Sequence, residues 1–346
     1  MKVTSICSTI HRRSDLIWGC TLKDLWPDGA PRVCAVVDSN ALWYYNRLVK
    51  ELGASFPMYV IKSPDESKKT QKTVAAIHAM LFAANAGRKT FLLAVGGGAT
   101  LDTSGFAASI FKRGISWIAV PTTLLSYVDA SVGGKTAINT LEAKNAIGSF
   151  YPPRYVLLNN EPAKTWNEKL RLEGVAEIYK IFTTFSPRRR ASLVNGVNEH
   201  HARQAVMYKV KVVRLDPWEE NLRAVLNVGH SFGHAVEHAT GIAHGLAVAV
   251  GFRLENFAAV KKGIMTHHTA EIMESELDAL GFEHRIKLPS WDELLKYLVQ
   301  DKKNVVGELS MSLLNGEVAV PFKKFDPLTR VTIQEAKWAY DQYKKE

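Results

Sequence analysis

Up to residue 160, short apolar runs alternate with longer stretches of helical periodicity; beyond it the alternation stops. Val33–Val37 is an apolar run closing on Asp38-Ser39-Asn40, and Ala41–Leu52 is amphipathic at helical spacing. Met58–Ile61 is strand-like and Thr70–Ala86 helical. Thr90–Val95 runs into Gly96-Gly97-Gly98, and Ile115–Val120 ends at Pro121. Strands alternating with helices fold as a parallel sheet covered on both faces, with ligands at the carboxyl ends of the strands. After residue 160, Lys169–Thr184, Glu199–Leu215, Val228–Ala239, Leu246–Lys262, Thr269–Leu280 and Trp291–Val299 all carry helical spacing. Val318–Val320 reads as a small strand and Trp338–Lys345 as a terminal helix. The expectation is an α/β, Rossmann-like N-terminal domain over residues 1–160 and a mainly α-helical C-terminal domain over 161–346. The Pro- and Asn-rich stretch Gly148–Pro162 is the expected hinge.

Composition narrows the class. A chain of 346 residues suffices for two domains, and 47% hydrophobic against 23% charged residues excludes a disordered chain. No apolar run approaches the roughly 18–20 residues that a membrane span needs. Met1–Arg13 lacks the apolar core of a signal peptide. Cys7, Cys20 and Cys34 form no CxxC pair and lie far from the histidines discussed below, which points to a reducing cytoplasm and away from disulfides or a thiolate metal site. The net charge of +10 is scattered, with Arg188-Arg189-Arg190 the one run of arginines. It suits an anionic small molecule at least as well as nucleic acid. The expected partner is therefore a small anionic molecule, with neither nucleic acid nor membrane.

Two local patterns carry chemistry. Leu92–Val95, the three glycines and Ala99-Thr100-Leu101-Asp102 make a strand, a glycine turn and a helix start, where backbone N–H groups can cradle a phosphate. The turn matches neither GxGxxG nor a Walker loop, so a plain tight turn remains open. Asp38 can accept from a ribose hydroxyl, although a turn or cap role is the simpler reading.

The second pattern is His230 and His234, four apart and so on one helix face, with Glu177 upstream and His244 downstream. Glu plus two His is a three-ligand set that leaves a divalent cation an open position. Lys180 lies one helical turn from Glu177, and Arg223 precedes His230. Lys135, Lys144-Asn145, Lys209, Asn227, Lys302-Lys303 and Arg113 are further candidates; each cation alone reads as solvated surface, but several around an open metal suit a substrate with phosphate and carboxylate ends. His200, His201, His267 and His268 read as surface residues.

Taken in order, these segments resemble the 3-dehydroquinate synthase family, from about Val33 to Leu314. The matching segments include Pro64-Asp65-Glu66 with Lys69, Gly96–Gly98 with Asp102, Arg113-Gly114, Val120–Leu125 and Asp129–Ala137. Lys144-Asn145, Gly174–Glu177 with Lys180, Leu222–Asn227, the His-x-x-x-His pair, His244-Gly245 and Asp301–Asn304 follow. The resemblance implies a dehydroquinate synthase-like fold and a carbon–oxygen lyase of the shikimate pathway to chorismate and the aromatic amino acids. Its substrate would be the sugar phosphate 3-deoxy-D-arabino-heptulosonate 7-phosphate, which carries a carboxylate. Glu177, His230 and His244 would hold Zn²⁺, with Co²⁺ as an alternative. Asp38, Asn40, Glu66, Lys69, Gly96, Gly97, Gly98, Asp102, Thr122, Thr123, Lys135, Lys144 and Thr165 would line an NAD site. Asp129, Lys135, Asn145, Lys180, Lys209, Arg223, Asn227, His234 and Lys303 would surround the substrate, with His234 assisting proton transfer. Arg113 would reach the phosphate of a neighbouring subunit, implying a homodimer.

Three departures stand out. Leu246 replaces the Glu of the usual His-Gly-Glu, removing a carboxylate beside a ligand. Asn159 stands where Asp is frequent, and Phe185–His200 is short for the family. A related cyclase acting on an amino analogue, or of the inosose or valiolone type, remains an alternative, as does a glycerol-dehydrogenase-like oxidoreductase.

Overall fold

The computed structural model describes residues 13–141, 143–282, 286–300, 307–322 and 328–345. The chain divides into two compact units. The first runs to Thr122 and takes in Gly134–Pro162; the second holds Thr123–Gly133 and the chain from Ala163 onward.

The first unit contains β1 (Asp15–Trp18), α1 (Leu22–Leu25), β2 (Val33–Asp38), α2 (Leu42–Leu52), β3 (Met58–Ile61), α3 (Gln71–Ala83), β4 (Phe91–Gly96), α4 (Gly98–Ile110), β5 (Trp117–Pro121), β6 (Lys135–Ile138), β7 (Ile147–Phe150) and β8 (Tyr155–Leu158). Six strands form one parallel sheet in the order β1-β8-β5-β4-β2-β3. Every residue of β2 and β5 is buried, as a parallel sheet covered on both faces requires. Val33, Ala35, Val37, Leu93, Val95, Ile118, Val120 and Leu157 pack with Tyr44, Tyr45 and Leu48 of α2. β6 and β7 form a separate antiparallel hairpin.

The stretch expected to hold the hinge also supplies an inner strand, and the first unit ends with it at Pro162. Tyr155-Val156-Leu157-Leu158 pairs with β1 on one side and β5 on the other. Pro152 and Pro153 lie just ahead of it, where no ladder N–H is needed. A four-residue apolar strand carries too short a period to be told from a loop by pattern alone.

The second unit contains α5 (Glu168–Phe185), α6 (Pro187–Ser192), α7 (Glu199–Leu215), α8 (His230–Thr240), α9 (His244–Lys261), α10 (His267–Ala279), α11 (Trp291–Leu298), β9 (Glu308–Met311), β10 (Thr329–Thr332) and α12 (Ile333–Tyr343). The segment Val318–Val320 is not a strand; Val320 N–H makes a backbone bond to Thr184 O at 2.8 Å, and the antiparallel ladder of this unit is β9 with β10. The terminal helix begins at Ile333, ahead of the expected Trp338, because Thr332 and Glu335 form a capping box at its start.

Candidate active site

In the first unit the glycine turn is tied to β2 by Asp38. One carboxylate oxygen accepts from Ala41 N–H at 2.8 Å and the other from Gly97 N–H at 3.1 Å. The cap role is thus realised, and the same side chain pins the glycine turn. A Cβ at Gly96 would lie 2.7 Å from Asp38 Oδ2 and 2.8 Å from Thr100 Cβ, so the close approach admits only glycine. The N-cap of α4, Gly97, has no side chain to occupy the N–H groups at the helix start. That geometry fits a pyrophosphate.

Beside it Lys69 is buried, with its ammonium 2.8 Å from Asp102 Oδ2, 3.3 Å from Glu66 Oε1, and bonded to Asn145 Oδ1. Burial alone would lower its pKa; Asp102 and then Glu66 outweigh this and raise it. Asn139, which sequence reasoning missed, completes the group: its amide donates to Glu66 Oε1 at 3.1 Å and its oxygen accepts from Asn145 N–H at 2.8 Å. Asn145 therefore belongs with Lys69, Glu66 and Asp102, residues expected at the cofactor, and its φ of 53° fits the tight turn that Asn tolerates. Thr122 bonds Gly96 O through its N–H at 3.0 Å. Asn40, Lys135 and Lys144 are exposed. Arg113 is exposed as well, on a backbone with φ 64° that follows Lys112 at 51°; two successive non-glycine residues in the left-handed region mark stored strain.

In the second unit α5, α8 and α9 bring the metal candidates together. Glu177 and Lys180 sit one turn apart in the buried half of α5, and His230 and His244 are the first residues of α8 and α9. Glycines permit the approach: a Cβ at Gly251 would fall 1.9 Å from Gly229 O, and one at Gly245 would fall 2.7 Å from Glu173 Cα. Glu177 Oε1 lies 3.2 Å from His230 Nε2 and 3.1 Å from His244 Nε2. Zinc ligands at about 2.0–2.1 Å in a tetrahedron stand about 3.3 Å apart, so this donor set fits the ion. Both rings turn Nε2 inward because Nδ1 is engaged elsewhere: His230 Nδ1 is 3.1 Å from Val228 O, and His244 Nδ1 is 3.1 Å from Glu237 Oε2. His234 packs against both, its ring centroid 5.1 Å from that of His230 and 6.3 Å from that of His244.

The electrostatics follow from burial against pairing. Burial would raise the Glu177 carboxyl, but Lys180 and then His230 hold it well below the usual range. Burial would lower Lys180, but Glu177 and Asp129 raise it. Lys209 Nζ lies 2.6 Å from Asp129 Oδ1 and donates to Asp129 O at 2.7 Å; burial still lowers its pKa. Asp129 sits in a π-helical turn, Ser126–Ala130, a distortion that recurs at functional sites. Lys180 Nζ is 3.9 Å from the same Asp129 oxygen. Arg223 donates to Gly133 O at 3.1 Å and Pro217 O at 2.8 Å, and burial lowers its pKa.

Glu219 was absent from the sequence-derived set. Its carboxylate accepts from Asn227 Nδ2 at 2.9 Å and its backbone φ is 61°. The flanking Asp216 accepts N–H bonds from Glu220, Asn221 and Arg223, fixing this loop. Thr123 and Thr165 fall in the second unit, and Lys303 lies outside the described residues.

Family models match both parts of the chain: the 3-dehydroquinate synthase N-terminal domain over residues 59–172 and its C-terminal domain over 174–304. The chain belongs to the 3-dehydroquinate synthase family. It is 39% identical to the 3-dehydroquinate synthase of Sulfurovum sp. (strain NBC37-1) over 267 residues, covering 74% of this chain and 76% of the relative. It is 35% identical to that of Brucella anthropi over 310 residues, covering 82% and 81%. Among solved structures it is similar to a 2-epi-5-epi-valiolone synthase from Streptomyces hygroscopicus subsp. jinggangensis 5008 with NAD⁺ and Zn²⁺ bound (TM-score 0.85, 25% identity, 100% and 99% of the two chains). A 2-deoxy-scyllo-inosose synthase complexed with carbaglucose-6-phosphate, NAD⁺ and Co²⁺ gives a TM-score of 0.81 at 26% identity, covering 94% and 96%. An iron-containing alcohol dehydrogenase, at 14% identity and a TM-score of 0.61, shares the fold. Against the 3-dehydroquinate synthase pattern, Asn159 serves as a turn cap, accepting from Glu161 N–H at 3.1 Å. The short connection after α5 is filled by α6.

Proposed function

We propose that this chain converts 3-deoxy-D-arabino-heptulosonate 7-phosphate to 3-dehydroquinate and phosphate, as a carbon–oxygen lyase of the shikimate pathway. One observation carries the reading: in a member of this family, Glu177, His230 and His244 converge on one point beside the buried Lys180 and Lys209 and the half-buried Asp129. NAD⁺ bound at the glycine turn supplies a reversible hydride acceptor, and zinc, or cobalt in its place, supplies a Lewis acid.

The chain's own residues do the rest. Glu177, His230 and His244 hold the cation. Asp38 and Gly96–Gly98 shape the bed for the cofactor phosphates, and Lys69 with Asp102 fixes its wall. Lys209, Arg223 and Asn227 offer cationic and amide donors to an anionic substrate, with Asp129 and Glu219 orienting Lys209 and Asn227 respectively. His234 is placed to move a proton beside the metal ligands. Phosphate leaves by elimination and the ring closes by an intramolecular aldol step, with no net redox change.

Incubating the purified protein with NAD⁺, Zn²⁺ and the heptulosonate phosphate tests this: equimolar phosphate and 3-dehydroquinate form and no NADH accumulates. Turnover of a different sugar phosphate alone would assign a related cyclase, and net NADH a dehydrogenase. The finer reading is a cytoplasmic homodimer in which Arg113, held out by its strained backbone, serves the partner's substrate phosphate. No helix among the described residues is long and apolar enough to cross a membrane.

A further inference from the structure

We infer that Glu237 is a positioning residue of the metal centre, holding His244 in the tautomer and ring orientation that present Nε2 to the ion. The inference rests on the ligand set proposed above. His230, His234 and Glu237 stand at i, i+4 and i+7, on one face of α8. Gly241, at φ 70°, reverses the chain after α8, and α9 then opens on His244, whose ring meets Glu237. The Nδ1–Oε2 distance of 3.1 Å pairs Nδ1 with a carboxylate as its donor, so that when an ion takes up Nε2, which faces Glu177 Oε1 at 3.1 Å, the remaining ring proton stays on Nδ1.

His230 is locked the same way by a backbone carbonyl, which no substitution can remove. His244 has no such carbonyl among its hydrogen bonds here and is the less enclosed of the two, with its side chain 23% exposed against 10% for His230. It begins a helix whose N-cap, Ala243, provides no side-chain bond. Position 246, two residues on, is Leu, so the acceptor that orients His244 comes from the preceding helix. Such acceptors behind a ligating histidine fix its tautomer and raise its basicity, and losing one costs about 10- to 100-fold in metal affinity.

Zinc affinity, measured by competition with a chromophoric chelator on the full-length protein, tests this with no appeal to turnover. Glu237→Ala should weaken zinc binding about 10- to 100-fold while the metal-free protein unfolds at the parental temperature. Glu237→Gln keeps an acceptor oxygen and should recover most of the loss. A Glu237→Ala protein that binds zinc within threefold of the parent overturns the inference, as does a Gln variant as weak as the Ala variant. His244→Ala separates the two levels of the argument: a larger loss than in Glu237→Ala supports the ligand set, whereas parental zinc affinity there would sink that set itself.

Discussion

At the level of single residues, the site is built from charges that survive burial only in company. Glu177 is 1% exposed, and an isolated carboxylate there would be protonated; Lys180 one turn away and two imidazoles keep it ionised and aimed. That gives a sharp expectation. Glu177→Ala and His230→Ala should each abolish turnover and lower bound zinc, measured by metal analysis after purification without chelator, since a three-ligand site cannot spare a donor. Either variant keeping full zinc and rate would show that the ligands are wrongly assigned. The His230–His234 spacing was legible in the sequence because four residues bring side chains back to one helix face. The Asp129–Lys209 pair was legible only as two candidates, because 80 residues separate them and no local period links such distant positions. Glu219 was invisible for a different reason: its role lies in a left-handed backbone and a bond to Asn227, and neither has a residue-type signature.

At the level of elements, α8 and α9 act as one device. α8 has Gly229 as N-cap and no cap from its own side, so its first N–H groups turn to Glu255 of α9. That buried carboxylate accepts from Gly229 N–H at 2.6 Å, Ser231 N–H at 2.9 Å and Phe232 N–H at 3.4 Å. It also complements the positive end of the helix that starts at His230. Glu255→Ala should leave those donors buried without their acceptor and cost about 2–3 kcal/mol, read from the denaturant midpoint at unchanged slope. A midpoint equal to the parent's would show that the cross-helix cap contributes nothing. The long helical spans from α7 to α11 were readable from periodicity to within a few residues, whereas α6 and the start of α12 were not; nor was the cross-helix cap, because its donor helix and its acceptor lie on different elements.

At the level of the whole molecule, metal binding should feed back on folding, since an ion that binds only the assembled α5–α8–α9 site stabilises the native state by mass action. Chelator treatment should lower the unfolding temperature of the wild-type protein, and added Zn²⁺ should restore it; an unchanged temperature would mean that no ion links these helices. The alternation of strands and helices, the helical second half, the glycine turn and the histidine spacing were determined by the sequence alone, because each rests on a period or turn shorter than about ten residues. Tertiary structure decided that Tyr155–Leu158 is an inner strand, that Thr123–Gly133 crosses into the second unit, and that Asn145 joins Lys69. It also decided that Glu237 stands behind His244 and that Glu255 caps the start of the helix that His230 opens. These are pairings between distant segments, chosen by which buried surfaces and polar groups can satisfy one another, and no local pattern records that choice.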